Sequence, residues 1–314
     1  MFAATQGEVT YTGRVKHYPD GSRELLVCSK PIFREEGWEA RQPRKKAPAA
    51  AGAGDVKRAQ RRARSEVRDL ALCNPFTHFV TLTLDASRVD RYDMGAITRK
   101  LNAWLSNQVQ RRGLKYILVP ERHKDGAVHF HGFFNDALER SDSGTVIPPG
   151  GGKPRKPRSK AQRADWLAQG GRVVWNLPGW SLGFTTALEL VGEYPKAVSY
   201  VCKYIGKQQD GKPGEKIGGR WYYSGGDLAR PDVTLADLDW REAARMPGAY
   251  SFQVPEAGAL FIIVREGPPG AANEGGPSGA AVWADEESAP RGPGKEVIGC
   301  WSDTATRKGI TAPE

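Results

Sequence analysis

Alternating hydrophobic and polar positions predict several short strands in this chain. Residues 8–33 predict a hairpin, because two strand-like segments flank Pro19-Asp20-Gly21-Ser22, a strong turn sequence. Four further segments have the β-branched and aromatic content of strands: 77–84, 116–119, 128–134 and 184–191. The second and third of these are expected to pair around Lys124-Asp125-Gly126, and 220–226 is compatible with an edge strand or a return loop.

Three segments instead have the 3.6-residue period of helices: 55–72, 92–112 and 195–207. The last begins with Pro195 at a favoured first position and places Val198, Val201, Cys202 and Ile205 on one core-facing stripe. Tyr200, Lys203, Tyr204 and Lys207 repeat that spacing two residues later, roughly 200° around the helix axis. Both tyrosines and both lysines are therefore predicted to share the face opposite the core.

The remaining segments suggest a domain plan. Residues 41–54 are rich in Ala, Gly and Pro and predict a basic linker, 140–171 are expected to be irregular with a mobile basic loop, and the tail from 265 is expected to be disordered. The predicted plan is an N-terminal hairpin extension (1–40), the linker (41–54), a main domain (55–264, with its motifs in 77–225) and the tail (265–314).

Composition narrows the class of protein. A hydrophobic share of 39% over 314 residues is enough for a packed core, and no apolar run is long enough to span a membrane. No secretory signal is recognisable and the four cysteines lack metal or disulfide spacing, so we expect a cytoplasmic protein. The net charge is +10, and residues 265–314 hold five Lys/Arg against eight Asp/Glu, so the rest carries about +13. This excess favours a polyanionic partner, most often nucleic acid.

Two basic groups are the candidates for nucleic-acid contact. One lies on the first predicted helix and one in the predicted loop: Arg58, Arg61, Arg62 and Arg64, and Lys153, Arg155, Lys156 and Arg158. A solvated helix face and a solvated insertion are the alternatives for these groups. Trp175, Trp180 or Trp221 are compatible with stacking on unpaired bases, although core packing is the stronger prediction for each.

A histidine pair is the most informative feature of the 128–134 strand. Strand alternation places His129 and His131 on one face, from which two imidazoles can bind one metal ion. The other ring nitrogen of each histidine then needs a partner to fix its tautomer. Two partly exposed histidines without a ligand are the alternative, although three of the five histidines fall between 123 and 131.

Glu121 is the candidate third ligand, and the turn decides whether it qualifies. A two-residue Asp125-Gly126 turn would point Glu121 away from the histidines, whereas a three-residue turn with Gly126 in a left-handed bulge pairs Glu121 with His129. We predict the second. Mixed imidazole and carboxylate ligation suits Mg²⁺ or Mn²⁺ acting on a phosphate, and it also suits catalytic zinc.

The two tyrosines are candidate nucleophiles. A phenol is a weak nucleophile at its ordinary pKa and needs nearby positive charge, which Lys203 and Lys207 supply three residues after Tyr200 and Tyr204. An amphipathic helix with surface Tyr and Lys is the alternative.

Together these motifs resemble the HUH endonuclease superfamily, and specifically the two-tyrosine rolling-circle replication initiators of phages and plasmids. Phe79–Leu84 is similar to its first motif, His129-Phe130-His131 to its metal-binding second motif, and Tyr200–Lys207 to its tandem Tyr-x-x-Lys. Residues 116–129 look like the stretch before the second motif and support Glu121. The resemblance covers about residues 55–225 and implies an α+β fold: an antiparallel sheet of about five strands with helices on one face and the site on the other.

The resemblance also implies a function. Such proteins nick single-stranded origin DNA, sometimes at a hairpin, through a 5′-phosphotyrosine, and rejoin strands with Mg²⁺ or Mn²⁺ bound. A host helicase and polymerase are implied partners in the bacterial cytoplasm, since the sequence has no G-x-x-x-x-G-K-[ST] loop. The alternatives are a relaxase or transposase with the same chemistry, a non-catalytic single-strand-binding module, and a structural zinc protein. The oligomeric state is not readable from the sequence.

Overall fold

A computed structural model describes residues 9–34, 53–123, 125–190, 194–205, 216–254 and 258–267. The chain divides into two compact units, each described below by itself. The first comprises residues 1–75 and 194–289, and the second comprises 76–193 and 290–314. The limits predicted from composition, at residues 40, 54 and 264, do not coincide with this division and remain predictions of domain limits.

The fold is α+β, as predicted. The first unit contains β1 (Gly13–His17), β2 (Arg23–Cys28), α1 (Ala53–Cys73), α4 (Tyr194–Lys203), β9 (Tyr223–Gly225), β10 (Asp232–Ala236), α5 (Trp240–Arg245), β11 (Tyr250–Val254) and β12 (Ala259–Glu266). The second contains β3 (His78–Leu84), α2 (Met94–Arg112), β4 (Tyr116–Arg122), β5 (Val128–Phe134), β6 (Ser141–Ile147), α3 (Lys160–Ala168), β7 (Arg172–Asn176) and β8 (Gly183–Glu189). Among the described residues, no helix is long and apolar enough to cross a membrane.

The sheet of the first unit is antiparallel, with the strand order β10-β1-β2-β12-β11. The predicted N-terminal hairpin is confirmed: Gly21, at a φ of 82°, closes the turn between β1 and β2. The hairpin is the centre of this sheet, because β1 also pairs with β10 and β2 with β12. Val27, Ile262 and Val264 form the core where α5 covers the sheet.

A buried ion network (Lys16, Glu24, Asp69 and Arg265) links this sheet to α1. The Lys16 ammonium lies 3.1 Å from Glu24 and 2.7 Å from Asp69, and the Arg265 guanidinium donates to the second oxygen of Glu24 at 2.7 Å. Tyr18 donates its hydroxyl to Asp69 at 2.8 Å. Because two cations face two carboxylates at close range, their charges balance inside the fold.

Helix α4 packs on α1 in the first unit. The predicted core stripe is confirmed, since Val198, Val201 and Ile205 are fully buried. The helix is shorter than predicted: it ends at Lys203, and the next backbone bonds close three-residue turns, from Tyr204 N to Val201 O. Lys207 lies outside the described residues.

The second unit contributes six strands to its sheet, in the order β6-β7-β8-β3-β5-β4, and all of these pairs are antiparallel. The predicted strands and the 92–112 helix are confirmed. On one sheet face, Trp104 of α2 stacks on Phe134 with ring centroids 6.3 Å apart. The prediction that 140–171 is irregular is wrong, because β6 pairs with β7 and α3 begins at the Ser159 cap. The sequence signal was weak because Gly and Pro interrupt both elements.

Candidate functional site

The β4–β5 hairpin places Glu121 directly opposite His129. Its turn has the predicted three-residue form: the His123 amide donates to Ala127 O at 2.8 Å, and Gly126 has a φ of 85°. A side chain at Gly126 would be strained at that φ, so glycine fixes the turn and therefore the register. The predicted pairing of Glu121 with His129 is confirmed.

The neighbouring strand β3 supplies two threonines to the same sheet face. Thr81 pairs with His131 and Thr83 pairs with His129 in the β3–β5 register. Directly opposed residues of antiparallel strands project from the same face. We call this group the histidine cluster: Thr81, Thr83, Glu121, His129 and His131.

Each imidazole of the histidine cluster is held at Nδ1. Thr81 Oγ1 lies 3.1 Å from His131 Nδ1, and Thr83 Oγ1 lies 3.2 Å from His129 Nδ1. His131 Nε2 lies 2.9 Å from the Glu121 carboxylate, and its side chain is almost fully buried. A hydroxyl at Nδ1 orients the ring and directs Nε2 outward from β3, which is the arrangement found behind metal-binding histidines.

His129 is neutral at neutral pH. Burial is the main cause that lowers its pKa to about 4, and the neighbouring rings of His123 and His131 lower it further against the opposing effect of Glu121. The His123 ring stacks on His129 with centroids 3.9 Å apart. A neutral imidazole is the form that can ligate a cation.

The chemistry of the cluster fits a divalent cation, but its geometry in this structure is not a closed metal site. Two imidazoles and a carboxylate are the donor set that Zn²⁺, Mn²⁺ or Mg²⁺ accepts with open positions. Within the part of the chain that the structure describes, no three His, Cys, Asp or Glu side chains already surround one ion position. Glu121 instead engages His131, so the ligand roles of Glu121, His129 and His131 remain predictions.

The two predicted nucleophiles contact each other in the first unit. The hydroxyls of Tyr200 and Tyr204 are 2.5 Å apart, and the rings meet edge to face with centroids 5.2 Å apart. Both side chains are half-buried, whereas Lys203 is exposed. A phenolate formed on one tyrosine can therefore accept a hydrogen bond from the other hydroxyl, which stabilises the charge.

The basic residues of α1 divide into two kinds. Arg58, Arg61 and Arg62 are exposed and so available to a phosphate backbone. Arg64 is half-buried and donates to Ile205 O at 2.8 Å, where it satisfies a carbonyl just beyond the end of α4. Its structural contact was missed because Ile205 is 141 residues away in the chain.

The predicted basic loop is not free of structure. Arg155 exchanges two backbone hydrogen bonds with Val146 of β6, each 2.9 Å long. All four candidate side chains project into solvent: Lys153, Arg155, Lys156 and Arg158. The backbone thus presents these cations from a held position, which corrects the prediction of a mobile loop, and their contact with nucleic acid remains a prediction.

Thr81 and Thr83 are the site residues that sequence reasoning missed. It required a partner for each second ring nitrogen without naming one. The available signal was the spacing: Thr81 and Thr83 are two residues apart on a strand, as are His129 and His131. Two equally spaced pairs on adjacent antiparallel strands can meet residue by residue.

Comparison with protein families supports these motifs. Residues 77–209 match the model of a family of replication-associated proteins, of the ORF2 type. That range contains β3, the histidine cluster, both tyrosines and Lys203. No curated protein and no solved structure matches the chain.

Proposed function

Residues 77–209 belong to the ORF2-type replication-associated protein family, a rolling-circle replication initiator family, and on this premise we propose that the protein nicks single-stranded origin DNA. The histidine cluster carries the proposal. Its two imidazoles are fixed by threonines, they share a sheet face with Glu121, and His129 is neutral at neutral pH. These are the requirements for binding a cation that contacts a phosphate.

The proposed reaction is a phosphoryl transfer to tyrosine. The hydroxyl oxygen of Tyr200 or Tyr204 attacks the scissile phosphorus, the bond from phosphorus to the 3′ oxygen breaks, and the leaving oxygen takes up a proton. The products are a 5′-phosphotyrosine and a free 3′-OH that can prime synthesis. The reverse attack by a 3′-OH rejoins strands, and no nucleotide cofactor is consumed because one phosphodiester replaces another.

Each group has a distinct proposed role. A bound Mg²⁺ or Mn²⁺ would supply Lewis-acid polarisation of a non-bridging phosphate oxygen. His129, His131 and Glu121 would hold it, while Lys203 and Lys207 offset negative charge at the phosphate and the phenolate. The second tyrosine first donates a hydrogen bond to the attacking phenolate and then acts as a second nucleophile, which permits strand transfer.

Binding of the DNA backbone is assigned to the two basic groups. The exposed arginines are Arg58, Arg61 and Arg62, with Arg64 contributing the part of its guanidinium that the Ile205 contact leaves, and the second group is Lys153, Arg155, Lys156 and Arg158. Affinity should then fall steeply with salt, because neutralised phosphates release counterions. Unwinding and synthesis are assigned to a host helicase and polymerase.

The test is a covalent-adduct assay with a labelled single-stranded oligonucleotide and Mn²⁺. The wild-type chain should form a DNA–protein adduct, Tyr200→Phe and Tyr204→Phe should each reduce it, and the double variant should abolish it. Tyr250→Phe, a half-buried tyrosine on β11, is the control and should leave the adduct unchanged. Undiminished adduct in the double variant would refute the mechanism.

The same assay separates the alternatives. Tight oligonucleotide binding that needs no metal and gives no adduct would identify a non-catalytic single-strand-binding module. Adduct formation alone does not separate an initiator from a relaxase or transposase, so a plasmid or phage origin is supplied as substrate. Production of unit-length single-stranded circles would then identify replication initiation.

A further inference from the structure

Phe184 is a solvent-exposed aromatic residue on β8. Its side chain is 61% exposed, which is the largest exposure of any described aromatic residue among the exposed large hydrophobics. Its neighbour Thr185 is buried and accepts a hydrogen bond from the Leu177 amide at 2.8 Å, so the strand itself is firmly placed. An exposed apolar side chain is common by itself, and it is the position of this one that matters.

The register places Phe184 in one row with the histidine cluster. Phe184 pairs with Thr83 across β8 and β3, Thr83 pairs with His129 across β3 and β5, and His129 pairs with Glu121. Directly opposed residues share a face, so the phenyl ring projects from the face that carries the imidazoles. Two strand spacings separate Phe184 from His129, which is about 10 Å between their backbones.

Glycine at position 183 fixes this placement. A Cβ at Gly183 would lie 2.2 Å from Thr83 O and 2.7 Å from the Asp85 amide, closer than any side chain tolerates. The start of β8 therefore lies tightly against β3, and Phe184 follows immediately. The ring is positioned by backbone contacts rather than by packing of the ring itself.

The ring face of Phe184 is open. No aromatic ring or guanidinium of the described residues stacks on it. Tyr92, the next most exposed aromatic residue, differs because the Arg91 guanidinium lies 5.8 Å from its ring centroid. An open ring about 10 Å from a phosphate-binding position is suited to a flat apolar ligand group that is linked to that phosphate.

The charge of the unit identifies the ligand as an anion. Residues 76–190 hold seventeen Lys/Arg and ten Asp/Glu, and Lys153, Arg155, Lys156 and Arg158 among them are exposed. A linked row of phosphates that carries flat apolar groups is a nucleic acid, and only an unpaired strand offers the face of a base. A phenyl ring makes no hydrogen bond, so it accepts every base.

We propose that Phe184 is the stacking platform for an unpaired base of the DNA strand, one or two nucleotides from the phosphate bound at the histidine cluster. This proposal deepens the proposed function and rests on it for the position of the phosphate. Stacking fixes the strand on the sheet face without reading its sequence. It also makes the site select single-stranded over double-stranded DNA.

The experiment measures binding of a labelled, mixed-sequence single-stranded oligonucleotide by fluorescence anisotropy. Phe184→Ala should weaken binding about fivefold to a hundredfold, the range for loss of one base–aromatic stack. Phe184→Trp should bind at least as tightly as the wild type, and Phe184→Leu should lose most of the affinity because it retains apolar area without a ring. Val233→Ala, at an exposed valine on β10, is the control and should bind like the wild type.

A second measurement locates the stack on the DNA. Single abasic substitutions along the oligonucleotide should include one position that weakens wild-type binding and has no effect on the Phe184→Ala variant. Equal binding by wild type, Phe184→Ala and Phe184→Leu would overturn the proposal, as would equal loss at every abasic position in both proteins. Thermal midpoints should be unchanged, because an exposed ring contributes little to stability.

The outcomes distinguish this proposal from the proposed function. If the wild type forms the covalent adduct but Phe184→Ala binds DNA normally, the stacking proposal alone fails. If no adduct forms with any substrate but Phe184→Ala and Phe184→Leu lose affinity while Phe184→Trp does not, nicking fails and the stacking platform stands.

Discussion

Two groups of buried polar side chains, one in each unit, are built in opposite ways. The buried ion network of the first unit sets two cations against two carboxylates, drawn from four elements far apart in the chain. The histidine cluster of the second unit holds its imidazoles with neutral hydroxyls from one adjacent strand. The first arrangement consumes its charges in holding the fold, whereas the second keeps ring nitrogens and a carboxylate together on one sheet face.

This difference implies that the two groups fail differently when altered. Loss of one member of a balanced buried ion network leaves an uncompensated charge, so stability should fall. Loss of a cluster member that serves a ligand should change affinity while the fold persists. The following experiments test that separation, in order of decreasing expected effect on free energy.

The largest expected effect is that of Lys16→Met. Removing the ammonium leaves Glu24 and Asp69 buried with half of their positive partners, which should lower the free energy of unfolding by about 3–5 kcal/mol. Urea denaturation followed by circular dichroism measures it. Lys30→Met, at an exposed lysine just after β2, is the matched control and should change stability by less than about 0.5 kcal/mol. A small effect of Lys16→Met would show that the network is dispensable.

The second effect is an acid transition caused by Glu24. Burial by itself would raise its pKa, but Lys16 and Arg265 overcome that effect and lower the pKa to about 2. The ionised form is favoured by folding, so its contribution is fully present above pH 4.5 and is lost as the pH falls toward 2. The loss should reach roughly 3 kcal/mol.

Unfolding free energies measured between pH 6 and pH 2 test this expectation. Glu24→Gln should be less stable than the wild type at neutral pH and should lose less stability over that window. Identical pH dependence in the two proteins would assign the acid transition to other carboxylates.

These two groups also differ in how far sequence could anticipate them. The histidine cluster was accessible because its determinants are local: a turn glycine at Gly126 sets the register, and strand alternation sets the face. The ion network was not anticipated, because Lys16 and Asp69 are 53 residues apart and Glu24 and Arg265 are 241 apart. No periodicity within a segment reports a contact between segments.

The same reasoning explains the smaller errors. Strand β6 and helix α3 were missed because Gly144 and the prolines around 148–157 resemble loop sequence, although β6 only needs an irregular register between Asp142 and Val146 to accommodate them. Among the aromatic residues, the tryptophans attracted attention as stacking candidates. Trp180 is buried, and the exposed ring belongs to Phe184, whose position depends on pairing with Thr83.

The third effect is that of Glu121→Gln on metal affinity. An amide keeps the size of the side chain but removes the negative charge and one anionic donor, so Mn²⁺ should bind about a hundredfold more weakly. Mn²⁺ titration followed by electron paramagnetic resonance measures the free ion directly. Unlike Lys16→Met, this variant should unfold within about 1 kcal/mol of the wild type.

Glu139→Gln supplies the matched control, because Glu139 lies in the same unit and outside the histidine cluster. It should bind Mn²⁺ like the wild type. Equal Mn²⁺ affinity in Glu121→Gln and the wild type would remove Glu121 from the proposed ligand set while leaving the histidines in it.

The smallest expected effect is that of Thr83→Val, which keeps the shape of the side chain and removes the hydroxyl that holds His129 Nδ1 at 3.2 Å. Without that partner the ring can rotate and exchange tautomers, so Mn²⁺ affinity should fall about tenfold. Thr83→Ser retains the hydroxyl and should restore most of it. Thr185→Val removes a hydroxyl that serves the Leu177 amide, so it should lower stability without altering Mn²⁺ affinity. If Thr83→Val and Thr185→Val affect metal binding and stability alike, the neutral hydroxyls of the histidine cluster support the fold in the same way as the charges of the ion network, and the distinction between the two groups would not hold.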